Sequence, residues 1–286
     1  MSWITDPWST ELVTRAGLEL VLIGALGGAL GVFVVVRGLP FTVEAFSHAI
    51  FPGAVIAAAL GGSIVLGGLV AAVAAAVGMA LAARHLGTGD ETAIGVVFTG
   101  MFAAGALLLA ALGPLDRDVT SFLFGDLLGV TRTDLVVTAI VAAGIGLLVT
   151  IVRRPLVASS FDPEAAAAAG VRVERLDLLL LCVLALAVVV SVRAVGNVLV
   201  LALFVTPAAS ARLVCRRLST TMALAIALGV ASGVGGLYVS FHARVAAGGA
   251  VVLVATGLFV LTWLVSPRRG MLAIALRARA ARPARA

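Results

Sequence analysis

The chain has 286 residues, of which 62% are hydrophobic and only 12% are charged, and its mean hydropathy is +1.20. No soluble domain of this length needs so much apolar material. Apolar runs of about 20 residues, the length that spans the hydrocarbon of a bilayer, recur along the chain. We therefore predict an all-α polytopic membrane protein, since a membrane β-barrel would need alternating polar and apolar positions.

All 20 basic residues are arginines, and the formal net charge is +6. A Walker A loop needs a lysine that reaches the nucleotide phosphates. This chain has no lysine, so we predict that it is not an enzyme that hydrolyses ATP by this machinery. Most of the arginines lie in short loops between apolar runs, as the positive-inside rule requires, so the basicity does not indicate nucleic-acid binding.

Nine apolar segments predict about nine transmembrane helices, or eight if one short segment is re-entrant. They lie at residues 18–36, 44–60, 64–83, 92–113, 134–152, 177–195, 197–211, 219–241 and 246–265. The second and seventh are short and contain Pro52 and Pro207, which should kink or break their helices. Broken helices at membrane depth line cavities and point to binding sites in transporters. Both prolines are therefore candidate gate positions.

Arginine counting predicts the orientation of the chain. Fifteen arginines lie on one set of alternate loops, which should be cytoplasmic: Arg37, Arg84, Arg153, Arg154, Arg172, Arg175, Arg212, Arg216, Arg217 and the six from Arg268 onward. The opposite side has Arg15, Arg117, Arg132, Arg193 and Arg244. We predict an extracytoplasmic N-terminal segment over residues 1–17, one transmembrane domain over 18–266 and an Arg-rich cytosolic tail over 267–286.

Glu44 and His48 lie four residues apart in the second apolar segment and should share one face of a helix. Ionisable groups at membrane depth are costly and usually face a cavity or a pathway. Imidazole and carboxylate suit Zn²⁺ and Mn²⁺, and two ligands fit a transient site on a pathway. The alternative is a hydrogen-bonded pair that merely stabilises the bundle. Asp126 also has two interpretations, a loop cap or a second gate.

The longest cytoplasmic connection, residues 153–176, contains the signals of a short helix. Asp162 is a plausible N-cap, Pro163 a first helical residue and Gly170 a helix stop. Glu164 and five consecutive alanines lie between them. A short helix on the cytosolic face suits contact with a soluble partner.

Several stretches in order resemble the permease subunits of the manganese, zinc and iron-chelate ABC importers. Residues 44–53 (EAFSHAIFPG) resemble the acidic-x-x-Ser-His-Ala-x-x-Pro-Gly signature of that family. Residues 90–95, 123–130 and 196–212 resemble further family stretches, and the likeness runs from about residue 37 to residue 270. One departure is Val43-Glu44, where the family usually has Gly-Asp, so the carboxylate reaches about one methylene further.

The resemblance implies a type II ABC importer-like bundle in a prokaryotic plasma membrane that imports zinc or manganese, possibly iron, with no permanently bound cofactor. It implies that Glu44 and His48 lie on the metal path. It also implies that Asp162, Glu164, Ala167 and Gly170 belong to a loop that docks on an ATPase. The implied partners are a cytosolic ABC ATPase that binds ATP, an extracytoplasmic metal-binding protein and a second copy of the chain.

Two other functions stay open at this point. A permease for iron-siderophore or cobalamin would need a wide tunnel poor in ligands, and the Glu44/His48 pair argues against one. A stand-alone ion-coupled metal carrier would have no docking loop and more carboxylates within its spans than this chain contains.

Overall fold

The computed structural model describes Trp8 and residues 10–85, 90–112 and 125–266. All regular structure in these ranges is helical. The helices are α1 (Glu11–Arg37), α2 (Pro40–Ala49), α3 (Phe51–Ala59), α4 (Ile64–His85), α5 (Asp90–Leu112), α6 (Arg132–Ile151), α7 (Arg153–Phe161), α8 (Pro163–Ala168), α9 (Val173–Val195), α10 (Asn197–Val214), α11 (Leu218–Ala243) and α12 (Ala247–Val265). A short 3₁₀ helix at Leu127–Gly129 precedes α6.

Nine helical stretches within the described ranges are long and apolar enough to cross a membrane, and α2 and α3 together form one of them. The prediction of nine spans is therefore confirmed. The spans formed by α1, α2–α3 and α9 are the most buried, whereas α5, α6 and α12 expose most of their surface. Because lipid tails are as apolar as these side chains, the exposed helices form the outside of the bundle and α1, α2–α3 and α9 form its core.

Helix α1 lies at the centre of the bundle because glycines let its backbone approach two other helices. A Cβ atom at Gly24 would lie 2.7 Å from the carbonyl oxygen of Gly229 in α11. A Cβ atom at Gly31 would overlap the carbonyl oxygen of Phe204 in α10. Helices in membranes associate through close van der Waals packing of small residues, so these contacts hold α10 and α11 against α1.

The two prolines predicted to disturb their helices behave differently. The second span is interrupted at Ile50, two residues before Pro52, so this prediction is confirmed. Helix α10 instead continues through Pro207 without a break. Pro207 has no N–H, so it leaves the carbonyl of Leu203 without its usual helical donor. That carbonyl faces Gly27 of α1 at the close crossing of the two helices.

Polar residues at the two ends of the bundle agree with the sides predicted from arginine counting. At the predicted cytoplasmic end, Arg37 forms an ion pair with Asp177 at the start of α9. At the opposite end, Arg193 forms an ion pair of 2.9 Å with Asp134 at the start of α6. Each pair joins residues that the sequence places on the same side of the membrane.

The connection predicted to be cytoplasmic contains two helices, α7 and α8, where the sequence predicted one. The predicted helix is α8, and α7 precedes it directly. Helix α1 begins at Glu11, within the predicted N-terminal segment. The predicted Arg-rich tail, residues 267–286, lies outside the described residues.

Substitution of Gly31 by Ala should destabilise the bundle, because the added methyl group would overlap the backbone of α10. Overpacking of this kind typically costs about 1–3 kcal/mol. Thermal unfolding of the purified protein in detergent measures the effect. The matched control is Gly144→Ala in α6, where an added Cβ meets nothing within 4 Å. Equal melting temperatures for both variants would contradict the close α1–α10 contact.

Candidate functional site

Glu44 and His48 lie one turn apart on α2 and contact each other, as their spacing predicted. The Nε2 atom of His48 is 3.1 Å from Oε1 of Glu44. The side chains are partly exposed, 28% for His48 and 35% for Glu44, although both belong to a membrane-spanning stretch. The structure therefore places a carboxylate and an imidazole together on an open face of the second span.

Aromatic rings of α5 surround His48 on its other sides. The ring centroid of His48 lies 5.4 Å from that of Phe98 and 5.6 Å from that of Phe102. Phe102 also packs on Phe51, directly after the interruption of the span. These contacts orient the imidazole so that Nε2 faces Glu44. No local sequence pattern predicts these contacts, because they depend on how α2 packs against α5.

Glu44 and His48 are the two metal-ligating side chains that one copy of the chain brings together here. Among the described residues, no group of three or more His, Cys, Asp or Glu side chains is arranged to hold a metal ion. Ser47, which lies between them, is buried, and its hydroxyl donates to the carbonyl of Val43 at 3.1 Å. One copy can offer a metal ion an oxygen and a nitrogen, which is an incomplete coordination shell.

The three candidate gate residues do not share one site. Asp126 caps the 3₁₀ helix, where its Oδ1 accepts a hydrogen bond of 2.9 Å from the N–H of Gly129. Its role as a loop cap is therefore observed, and its role as a gate stays a prediction. Pro52 follows the interruption near His48, and Pro207 is buried in α10. Of the three, only Pro52 lies beside the Glu44/His48 pair.

The sequence analysis missed Glu19, which is fully buried inside α1. Thr138 of α6 donates a hydrogen bond of 2.7 Å to its Oε1 atom, and the Oε2 atom has no hydrogen-bond partner. Glu19 lines a cavity of about 400 Å³ at the predicted outer end, together with Asp126, Asp134 and Arg193. The available signal was an acidic residue inside the first apolar run, because such residues are rare in spans.

The predicted docking helix is present with the predicted terminal residues. The Oδ1 atom of Asp162 accepts a hydrogen bond of 2.9 Å from the N–H of Ala165, and Gly170 ends the turn with φ of +84°. Ala166 is buried, whereas Glu164 and Ala167 are exposed. The helix therefore presents one smooth, alanine-rich face to the outside.

Comparison with known proteins agrees with this architecture. The model of the ABC 3 transport family matches residues 9–266. The manganese transport system membrane protein MntC of Halalkalibacterium halodurans is 36% identical over 264 residues, covering 92% of this chain and 90% of that protein. The chelated iron transport system membrane protein YfeD of Yersinia pestis is 32% identical, covering 91% of this chain and 87% of that protein.

Solved structures show the same fold. PsaBC from Streptococcus pneumoniae, determined in complex with Fab, superposes with a TM-score of 0.84 at 30% identity and covers 96% of this chain and 99% of that chain. An inward-facing metal-chelate type ABC transporter superposes with a TM-score of 0.67 at 17% identity, covering 87% of this chain and 85% of that chain. The second likeness concerns the fold alone.

Substitution of Thr138 by Val should destabilise the protein, because it would leave both carboxylate oxygens of Glu19 without a partner. Leaving a buried polar group unpaired typically costs about 1–3 kcal/mol. Thermal unfolding in detergent again measures the change. The control is Thr150→Val on the same helix, because the Thr150 hydroxyl is exposed and bonds only to the local carbonyl of Leu147. A melting temperature for Thr138→Val equal to that of the control would contradict this role of Thr138.

Proposed function

The chain belongs to the ABC 3 transport family, and we propose that this permease of a bacterial ABC importer carries Mn²⁺ through the plasma membrane. The relatives named for manganese transport support this cargo. Zn²⁺ is the second candidate, because imidazole and carboxylate also bind it. Iron is the third, because YfeD is named for chelated iron.

The observation that supports the proposal best is the open position of the Glu44/His48 pair. An ionisable group that faced lipid from within a span would be costly. The exposed face of α2 must therefore meet water, a moving ion or another protein surface. A pathway for a divalent cation satisfies this requirement, since the ion would pair with the carboxylate and the imidazole as it passes.

We infer that a second copy of the chain completes this site. One copy supplies one carboxylate and one imidazole, and two copies related by a two-fold axis would supply two of each. Cyclic dimers are the most common symmetric assembly of proteins. Four mixed oxygen and nitrogen ligands would be enough to replace several waters of a divalent metal ion. The same dimer would cover the exposed face of α2.

The ligand set also favours release of the cargo. Among the first-row divalent metals, Mn²⁺ binds a given nitrogen and oxygen site most weakly, and Zn²⁺ binds it much more tightly. A site of two carboxylates and two imidazoles without thiolates would therefore let Mn²⁺ leave more readily than Zn²⁺. The longer reach of Glu44, compared with the aspartate of the family signature, would change the geometry of the site and with it the preference among metals.

A partner subunit would bind and hydrolyse ATP, because this chain has no lysine for a Walker A loop. We propose that α8, with Asp162, Glu164, Ala167 and Gly170, docks on a cytosolic ABC ATPase. Its exposed alanines would fit a cleft without bulky side chains, and it lies at the end of the bundle that arginine counting assigns to the cytoplasm. An extracytoplasmic metal-binding protein would deliver Mn²⁺ at the opposite end.

His48→Ala and Glu44→Gln should each lower Mn²⁺ uptake by about 10- to 100-fold, as losing a residue that supports a metal site commonly does. Uptake by cells that lack the native gene and express each variant measures the effect, with the amount of protein in the membrane determined in parallel. His242→Ala is the control, because that histidine lies at the outer end of α11 and bonds to the local carbonyl of Tyr238. Near-normal Mn²⁺ uptake in both site variants would show that the Glu44/His48 pair only stabilises the bundle.

Ala167→Arg should prevent binding of the ATPase, because the new side chain would occupy the contact face of α8. The variant should fold normally, since residue 167 is exposed. Co-purification of the ATPase with the permease measures binding. The control is Ala243→Arg, which adds the same exposed side chain at the opposite end. Full ATPase binding by Ala167→Arg would show that α8 is not the docking helix.

A further inference from the structure

We propose that Arg37 is the positioning residue that transmits movement of the docking helix α8 to the helix that holds Glu44 and His48. This inference rests on the proposed function, because it assumes that α8 docks on an ATPase and that the pair lies on the metal path. Arg37 is the last residue of α1 and belongs neither to the Glu44/His48 pair nor to α8.

Arg37 contacts both segments that flank α8. Its Nε and Nη2 atoms donate to the hydroxyls of Ser160 and Ser159, at 2.8 and 2.7 Å, at the end of α7. Its Nη1 atom pairs with Asp177 in the first turns of α9. Only 11% of the Arg37 side chain is exposed. One guanidinium group thus ties together the chain entering α8 and the chain leaving it.

The docking helix has little direct contact with the core of the bundle. Its main packing partners are α7 and α9, the helices that flank it in sequence. A cavity of about 540 Å³ lies beside Arg37 and is lined by Ser159, Ser160 and Pro163 of the docking region and by Met79 and Ile94 of α4 and α5. This space leaves room for the docking segment to shift. Force on α8 would therefore reach the core largely through its flanks, where Arg37 binds.

Arg37 is also close in sequence to the metal-path residues. Helix α1 ends at Arg37, and Gly38 turns the chain in the left-handed conformation with φ of +71°. The N–H of Leu39 then donates to the carbonyl of Val34 at 2.8 Å, which fixes the turn. Helix α2 begins at the next residue, and Glu44 lies about one turn along it. A displacement of Arg37 would therefore move the start of α2 directly.

Arginine fits this role better than lysine would. All three guanidinium nitrogens of Arg37 are used, on partners in two different helices. A lysine has a single ammonium group on a flexible stem and cannot reproduce a planar fork. Lys at this position would keep the charge but would lose the simultaneous hold on α7 and α9.

The test uses the complete importer, with the permease, its ATPase and its binding protein, in liposomes supplied with Mn²⁺ and ATP. The quantity measured is the number of Mn²⁺ ions taken up per ATP hydrolysed. Coupling energies between distant sites usually correspond to about 5- to 150-fold, so Arg37→Gln should lower this ratio within that range. ATPase binding and hydrolysis without cargo should stay within about twofold of the wild type. The Mn²⁺/ATP ratio of Arg37→Lys should lie between those of the wild type and Arg37→Gln.

A second readout separates transmission from a merely structural role. In the wild type, trapping the ATP-bound state should change amide hydrogen exchange in α2, whereas in Arg37→Gln the change should be confined to α7 and α8. Arg154→Gln is the matched control, because it removes an exposed arginine from α7 itself. If Arg37→Gln fails to reach the membrane, Asp177→Ala and Ser160→Ala, each of which removes one hydrogen-bond partner of Arg37, should lower the ratio to a smaller extent.

The outcomes are distinguishable. If Arg37→Gln takes up as many Mn²⁺ ions per ATP as the wild type, the inference is overturned and the proposed function stays intact. The same holds if Arg37→Gln cannot be tested and both single-contact variants keep the wild-type ratio. An equal loss in Arg37→Gln and Arg154→Gln would also overturn it. A wild-type complex that transports no Mn²⁺, or does not bind an ATPase, would instead refute the proposed function.

Discussion

The close packing of α1 against α10 and α11 is the constraint on which the other features depend. In a bilayer no hydrophobic effect drives one apolar helix onto another, so helices associate through contact surface and small residues. The glycines of α1 permit backbone contact with two neighbours at once. This fixes the position of α1, and with it Glu19 near one end and Arg37 at the other. A helix held less firmly could not keep an unpaired carboxylate oxygen buried, nor position a guanidinium group between two other helices.

Features encoded by neighbours in sequence could be predicted. Apolar run length gave the nine spans, and the four-residue spacing placed Glu44 beside His48. The turn chemistry of Asp162 and Gly170 gave the bounds of α8. In each case the relevant physics acts within one or two helical turns, so no knowledge of helix packing was needed.

Features formed by residues distant in sequence could not be predicted. The hydroxyl of Thr138 meets Glu19 across 119 positions, and Ser159 meets Arg37 across 122 positions. Nothing in the local pattern of either segment identifies its partner, since many Ser and Thr residues in the spans bond to their own helix instead. Pro207 is a related case. Local chemistry predicted a disturbed helix, but α10 continues without a break where it packs against Gly27.

Arg37 and Glu44 are seven residues apart in sequence but differ in burial and in the number of their hydrogen-bond partners. Arg37 is nearly buried, and each of its nitrogens has a partner, so any displacement breaks several bonds and moves the segments bound to it. Glu44 is more exposed and, among the described residues, its carboxylate pairs with His48 alone, so it can exchange that partner at little cost. Buried polar groups with all their partners confer rigidity, whereas an exposed carboxylate has oxygen lone pairs left over for another ligand. The first arrangement suits transmission of force, and the second suits brief contact with a passing ion.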